Sequence, residues 1–125
     1  MSPLVFVAVC VAGGVGAALR FVLDGAIRAR FPMMFPLGTA VINVSGSFVL
    51  GAITGLALAA VLPEEWTLVL GTGVMGGYTT FSTASIETMR LIEEREYVLA
   101  LTNGLGVLVA AVVAGLAGLW LGSAF

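Results

Sequence analysis

The chain has 125 residues, 60% of them hydrophobic, and a mean hydropathy of +1.15. Five basic and seven acidic side chains are too few to coat a water-soluble globule of this size, so the composition predicts an integral membrane protein. A formal net charge of −2 without a basic cluster argues against a nucleic-acid partner, and the absence of histidine removes the commonest general base and transition-metal ligand.

Long apolar runs predict four membrane-spanning helices in a single domain of residues 1–125. A bilayer core of about 30 Å takes about 20 residues of helix to cross. Four runs have sufficient length: residues 3–23, 36–62, 66–87 and 97–122. No basic residue precedes the first run, which favours a first span over a cleaved signal peptide. The predicted fold class is therefore an all-α integral membrane protein with four transmembrane helices.

The first span ends in small residues and then in charges. Residues 13–18 are mostly Gly and Ala, which fits either close helix packing or a site. The spacing of Arg20, Asp24 and Arg28 by four places them on one helix face and predicts local ion pairs. Arg28 is interpreted as part of a solvated interfacial helix, whereas Arg20 directly ends the glycine-rich span and is not assigned.

Small and polar residues recur every fourth position along the second span. They form one ridge on an otherwise aliphatic helix: Thr39, Asn43, Ser47, Gly51 and Gly55. The Asn43 amide is costly in lipid unless it faces protein or water. Both an interhelical hydrogen bond and a role in a site are compatible with this position.

The third span is unusually polar for a charge-free segment. Gly76 and Gly77 allow the helix to unwind, and unwound backbone carbonyls can hold a cation such as sodium. Hydroxyl side chains then follow: Thr79, Thr80, Ser82, Thr83 and Ser85. Hydroxyls, the Asn43 amide and the edge of a phenyl ring can all face a small dehydrated anion. The stretch is compatible with a small-ion pathway or with packing by small residues.

An enzyme is disfavoured by the same residues. Serine and threonine are plentiful, but no histidine or lysine is present to activate a hydroxyl nucleophile. Glu87 is the only nearby base, and it lies at the end of the third span. The lone Cys10 excludes a disulfide or a Cys-x-x-Cys site within one chain.

The arginines predict a fixed orientation in the membrane. All five lie at the C-terminal end of the first span or in the segments that follow the first and third spans: Arg20, Arg28, Arg30, Arg90 and Arg95. The termini and the acidic turn at Glu64 and Glu65 lie on the other side and carry no basic side chain. The positive-inside rule therefore predicts that both termini lie outside the cytoplasm.

Three motifs on this four-span chain resemble the Fluc fluoride channels, also called the CrcB family. They are GGVGAALRF at residues 13–21, GTAVINVSGSFVLG at residues 38–51 and GGYTTFSTASIE at residues 76–87. The resemblance implies a channel that exports fluoride passively across the plasma membrane and so lowers its cytoplasmic concentration. It also implies a dimer of two antiparallel subunits that encloses two pores.

The resemblance implies a role for particular residues as well. A structural sodium ion, which is not transported, is expected at the dimer interface on the backbone carbonyls of Gly76 and Thr79, where the third helix breaks. Asn43 matches the asparagine of the pore, and Phe81 matches a phenylalanine that lines the fluoride path by its ring edge. Polar positions beside the fluoride path are expected at Thr39, Ser82 and Thr83. Three further candidates have no assigned role: Arg20, Thr80 and Glu87.

Departures from the family pattern predict a second kind of subunit. Ala84 stands where a second phenylalanine is usual, and the fourth span places Gly104 and Val107 where the family commonly has a tyrosine and a serine. A homodimer of antiparallel subunits requires insertion in both orientations, which the one-sided arginines oppose. We therefore expect a homologous partner of inverted orientation, with a homodimer as the alternative.

Two other classes of membrane protein remain as alternatives. A small four-helix proton-coupled drug exporter would need a membrane-embedded carboxylate, which the first span lacks. A non-transporting membrane scaffold would be distinguished by the effect of Asn43→Asp or Phe81→Ile on fluoride resistance.

Overall fold

The computed structural model describes residues 1–125 and is entirely helical. Five helical elements follow one another: α1 (Pro3–Arg30), α2 (Leu37–Leu58), α3 (residues 64–78), α4 (Ser82–Glu93) and α5 (Tyr97–Ser123). α3 and α4 are the two halves of the interrupted third helix, so the chain has four helices in all. The predicted all-α class is confirmed.

The first helix is longer than the predicted span. Ser2 caps its N-terminus by accepting a hydrogen bond from the Val5 N–H, and Pro3 occupies the first turn, where no N–H is needed. α1 then continues through the charged segment to Arg30, and it stops just before Pro32, because a residue that precedes proline disfavours helical geometry.

The second helix is shorter than its charge-free run. α2 begins after Pro36 and ends at Leu58, where Ala60 adopts a positive φ of 59°. The N–H groups of Val61 and Leu62 both donate to the Leu56 carbonyl, which satisfies the open end of the helix. The remaining apolar residues, to Leu62, form a turn rather than another turn of helix.

The third helix is irregular before it breaks. α3 starts with one α-helical turn, Glu64–Thr67, widens into a π-helical section, Leu68–Met75, and ends in Gly76–Tyr78. Residues 79–81 are not helical, and α4 resumes at Ser82. The break predicted near Gly76–Thr79 is therefore present. A second π-helical section, Thr102–Gly106, lies within α5.

Glycines set the close contacts between helices. α2 packs along α5, where a Cβ on Gly51 or Gly118 would overlap the backbone of the opposite helix. α1 crosses α3 in the same way at Gly16 and Gly77. The small residues of the first span thus serve in packing, as one of the two interpretations allowed.

Lipid, rather than a protein core, is the natural environment of the outer surface. Only 17 of 125 residues are buried, and large apolar side chains such as Leu4, Phe6 and Leu116 are exposed. Three helices, α1, α2 and α5, are long and apolar enough to cross a membrane by themselves. The fourth crossing is divided by the break, so neither α3 nor α4 alone reaches the length that a bilayer requires.

Candidate ion pathway

The break in the third helix is held by one side chain from α2. Thr79 has extended geometry, with φ −82° and ψ 158°, which ends the helix. The next residue, Thr80, donates its N–H to Asn43 Oδ1 at 2.9 Å and accepts from Asn43 Nδ2 at 2.7 Å through its carbonyl. The amide therefore satisfies both polar groups of a backbone residue that lies outside any helix.

Two carbonyls beside the break lose their helical donors. In a continuous helix the Thr80 N–H would bond to the Gly76 carbonyl, and the Thr83 N–H to the Thr79 carbonyl. Here the first N–H donates to Asn43, and the second donates to Thr80 Oγ1 at 3.2 Å. The oxygens of Gly76 and Thr79 are thus available to another ligand, which fits the chemistry of a hard cation such as sodium.

A polar groove runs from the break to α5. We use this name for a cavity of about 590 Å³ between α2, the break, α4 and α5, in whose largely apolar wall a set of polar side chains is embedded. Its polar lining contains amides and hydroxyls but no charged side chain: Asn43, Ser47, Thr79, Thr80, Ser85, Thr88 and Asn103. Asn103 is buried, and its Nδ2 donates to Thr88 Oγ1 at 2.9 Å. The groove can therefore face a small ion with neutral dipoles.

Phe81 presents its ring to this groove without packing against the rest of the chain. Its side chain is among the most exposed, with 87% of the residue accessible. Ala84, Gly104 and Val107, at which the sequence was expected to depart from the family pattern, line the same groove. They are far apart in sequence, yet they contribute to one wall.

A second cavity, the arginine cleft, adjoins the break from the side of α1. It has a volume of about 240 Å³ and meets the polar groove at Thr80. Arg20 lines it and donates from Nε to the Gly77 carbonyl at 3.3 Å, so this arginine braces α3 just before the break. Thr39 and Thr83 lie in the cleft with Asp24.

Glu87 lies in neither cavity. Its carboxylate is buried and accepts a hydrogen bond from Arg28 Nη2 at 2.9 Å, while Arg28 Nε bonds to Asp24 at 2.9 Å. The predicted local pair between Asp24 and Arg28 is therefore present. Arg28 was interpreted as a residue of a solvated interfacial helix, but its side chain also links the end of α1 to α4. Nothing in the spacing of the sequence pointed to this contact with Glu87.

The structure brings most of the predicted site residues to the two cavities beside the break, with three exceptions. Asn43, Thr79, Thr80 and Phe81 share the polar groove, whereas Thr39, Thr83 and Arg20 share the arginine cleft with Thr80. Gly76 and Ser82 are exposed, one on each side of the break, and line neither cavity. Glu87 belongs to a separate pocket near the connectors.

Two polar contacts were not anticipated from the sequence. Asn103 and Thr88 join α5 to α4, and Ser45 Oγ lies 3.0 Å from the Tyr78 hydroxyl, which joins α2 to α3. Isolated polar residues in apolar helices were the only available signal. Their partners lie on other helices and are fixed by helix packing rather than by sequence separation.

Comparison with known proteins places the chain in a family. Residues 7–123 match the model described as CrcB-like protein, Camphor Resistance (CrcB). The chain is 58% identical over 122 residues to "Fluoride-specific ion channel FluC 1" of Leifsonia xyli, covering 98% of this chain and 89% of that protein. It is also similar to "Fluoride-specific ion channel FluC 2" of Mycolicibacterium paratuberculosis, with 49% identity over 90% of this chain and 87% of the relative.

A further relative has a third number in its name. "Fluoride-specific ion channel FluC 3" of Bifidobacterium longum is 42% identical over 118 residues, which cover 92% of this chain and 98% of that protein. These relatives are named as ion channels and not as enzymes. From the family match and the identity over nearly its whole length, the chain belongs to the CrcB family of fluoride channel proteins.

Proposed function

We propose that this chain is one subunit of a fluoride-selective channel that lets fluoride leave the cell passively across the plasma membrane. The observation that carries the proposal is the polar groove, in which Asn43 and the exposed ring of Phe81 face an uncharged path at the helix break. The names of the relatives supply the identity of the ion.

The groove offers donors suited to a small anion that has shed part of its water. Asn43 Nδ2 has two hydrogens, and only one is used by the Thr80 carbonyl. The other hydrogen and the hydroxyl of Ser47 can donate to fluoride, whereas Ser85 Oγ donates to the Phe81 carbonyl at 3.0 Å. The ring edge of Phe81 carries the positive part of its quadrupole. Because no charged side chain lines the groove, an ion would bind weakly enough to move on.

A structural sodium ion is the second part of the proposal. The carbonyls of Gly76 and Thr79 would hold it, since their helical donors are engaged elsewhere. Bound there, sodium would supply a fixed positive charge beside the carbonyl end of α3, where the helix dipole favours a cation. The ion would stay in place and would not be transported.

The third part of the proposal is a dimer with an inverted, homologous partner. Phe81 is exposed, and the polar groove is thinned at Ala84, so this subunit leaves part of the path for another chain to complete. All five arginines lie at or after the C-terminal ends of the first and third spans, and the positive-inside rule favours one orientation, with the termini outside the cytoplasm. Numbered FluC relatives are consistent with bacteria that encode more than one such chain.

Fluoride efflux from liposomes tests the function. We expect rapid, passive efflux when this chain is reconstituted with a homologous chain whose arginines lie on the opposite connectors, and little efflux from this chain alone. Chloride-loaded liposomes serve as the control for selectivity. Efflux that requires a proton gradient would contradict the channel and favour the exporter, although the groove contains no carboxylate to couple protons.

The orientation is tested separately with tagged termini. A protease or a membrane-impermeant label that reaches both termini from outside the cell supports the fixed orientation. A mixed population of orientations would remove the argument for an obligate partner and leave the homodimer.

A further inference from the structure

We infer that Asn43 is a positioning residue for the cation site, because it keeps the Gly76 carbonyl free by diverting the Thr80 N–H away from it. This inference rests on the proposed sodium ion, and it adds a residue that does not itself touch the ion. Asn43 would therefore link the two functions of the break: it borders the anion path and sets the state of a cation ligand.

The geometry requires an amide at this position. The two hydrogen bonds go to the N–H and the C=O of the same residue, Thr80, at 2.9 and 2.7 Å. Because one side chain bonds to both, the N–H and the C=O of Thr80 face the same side of the backbone, and a carboxamide has one acceptor and one donor at matching separation. The Thr80 N–H can only donate, so the orientation of the Asn43 amide is determined by its partner.

The diversion has a direct consequence for Gly76. The Thr80 N–H stands four residues after Gly76, so the Gly76 carbonyl is its partner in an uninterrupted helix. While Asn43 Oδ1 accepts this N–H, the Gly76 oxygen is left without its helical donor. If residue 43 offers no acceptor, the part-buried N–H needs a new partner, and the Gly76 oxygen is the one in helical register.

Ser45 provides a matched control on the same helix. Its hydroxyl also makes a polar contact from α2 to the third helix, 3.0 Å from the Tyr78 hydroxyl. Tyr78 belongs to the helical part, so this contact does not alter the donors of the break. Ser45 also lies outside the polar groove. Ser45→Ala therefore removes an interhelical contact while leaving the diversion intact.

The experiment measures sodium binding by thermal stabilisation of the full chain, assembled with its inverted homologous partner, in lipid nanodiscs. The melting temperature is recorded against NaCl concentration, with choline chloride holding the ionic strength constant. We expect Asn43→Leu to raise the sodium concentration at half-maximal stabilisation by at least about tenfold, and Ser45→Ala to leave it within about twofold. If Asn43→Leu does not fold, Asn43→Ser replaces it, because a hydroxyl is too short to reach both groups of Thr80.

The outcomes separate this inference from the proposed function. A sodium midpoint unchanged in the Asn43 variants, or no response to sodium in the unaltered protein, would overturn the inference. Fluoride efflux in that case would leave the channel proposal standing. Conversely, a sodium midpoint that depends on Asn43 in a protein without fluoride efflux would support the inference and contradict the channel.

Discussion

Two glycine-rich regions of this protein have opposite properties. Along the seam between α2 and α5, Gly51 and Gly118 let the two backbones touch, and the helices run on without interruption. At the break, Gly76 has open space around it and the helix stops at Thr79. Only Gly76 differs from the seam in this way, since Gly77 packs closely against α1. The helix is interrupted where a side chain, Asn43, takes over the backbone hydrogen bonds of Thr80.

The largest destabilisation is expected from a substitution at the seam between α2 and α5. A Cβ at Gly118 would overlap the Phe48 carbonyl and the Ala52 backbone, which no rotamer change can relieve. We expect Gly118→Leu to destabilise the protein by more than about 4 kcal/mol, so that no monodisperse protein is recovered in size-exclusion chromatography. Gly14→Ala is the control, because its Cβ would meet nothing within 4 Å. Folded Gly118→Leu protein would show that the seam is not a rigid contact.

A substitution of Phe81 at the break is expected to reduce fluoride efflux without destabilising the protein. Phe81 is 87% exposed, so its replacement removes little packing. We expect Phe81→Ile to slow fluoride efflux by at least about tenfold through loss of the ring edge, with the melting temperature unchanged. Phe125→Ile, at an exposed position outside the groove, should leave efflux unaltered. Parallel losses of efflux and of thermal stability would assign Phe81 to packing instead.

The smallest effect is expected at the link between α1 and α4. Arg28→Gln removes the charge that partners the buried Glu87 carboxylate, while keeping most of the aliphatic stem. Because Arg28 is half exposed, we expect a loss of about 1–2 kcal/mol in the free energy of unfolding, measured by denaturant titration. Arg30→Gln, which removes an exposed arginine without an ion pair, is the control. Equal stability of the two variants would contradict a structural role for the Arg28 link.

Features that depend on local sequence could be predicted well. The glycine pair followed by hydroxyls predicted the interruption of the third helix; the glycines themselves stay helical, and the break follows them at residues 79–81. The four-residue spacing of Asp24 and Arg28 predicted their ion pair. Helix ends were less predictable: α2 stops at Leu58 although apolar residues continue, because Ala60 turns the chain with a positive φ.

Contacts between residues on different helices could not be predicted from the sequence. Asn43 was recognised as a costly amide, but both of its interpretations remained open, since the sequence does not show what faces it. The structure identifies Thr80 as its partner, and this contact leaves one amide hydrogen for the groove. Arg28 and Glu87, separated by 59 positions, are a second case.

By itself, the sequence determined that this protein is a four-helix membrane protein with an interrupted third helix. Hydropathy depends on the solvent that surrounds a helix, and the effect of glycine depends on the local backbone, so neither needs a partner helix. Only the tertiary structure decided how the break is used. Helix packing brings Asn43 to Thr80 and gathers Ala84, Gly104 and Val107 along one wall. The physical reason is that a buried polar group takes its partner from whichever helix lies opposite, and packing alone selects that helix.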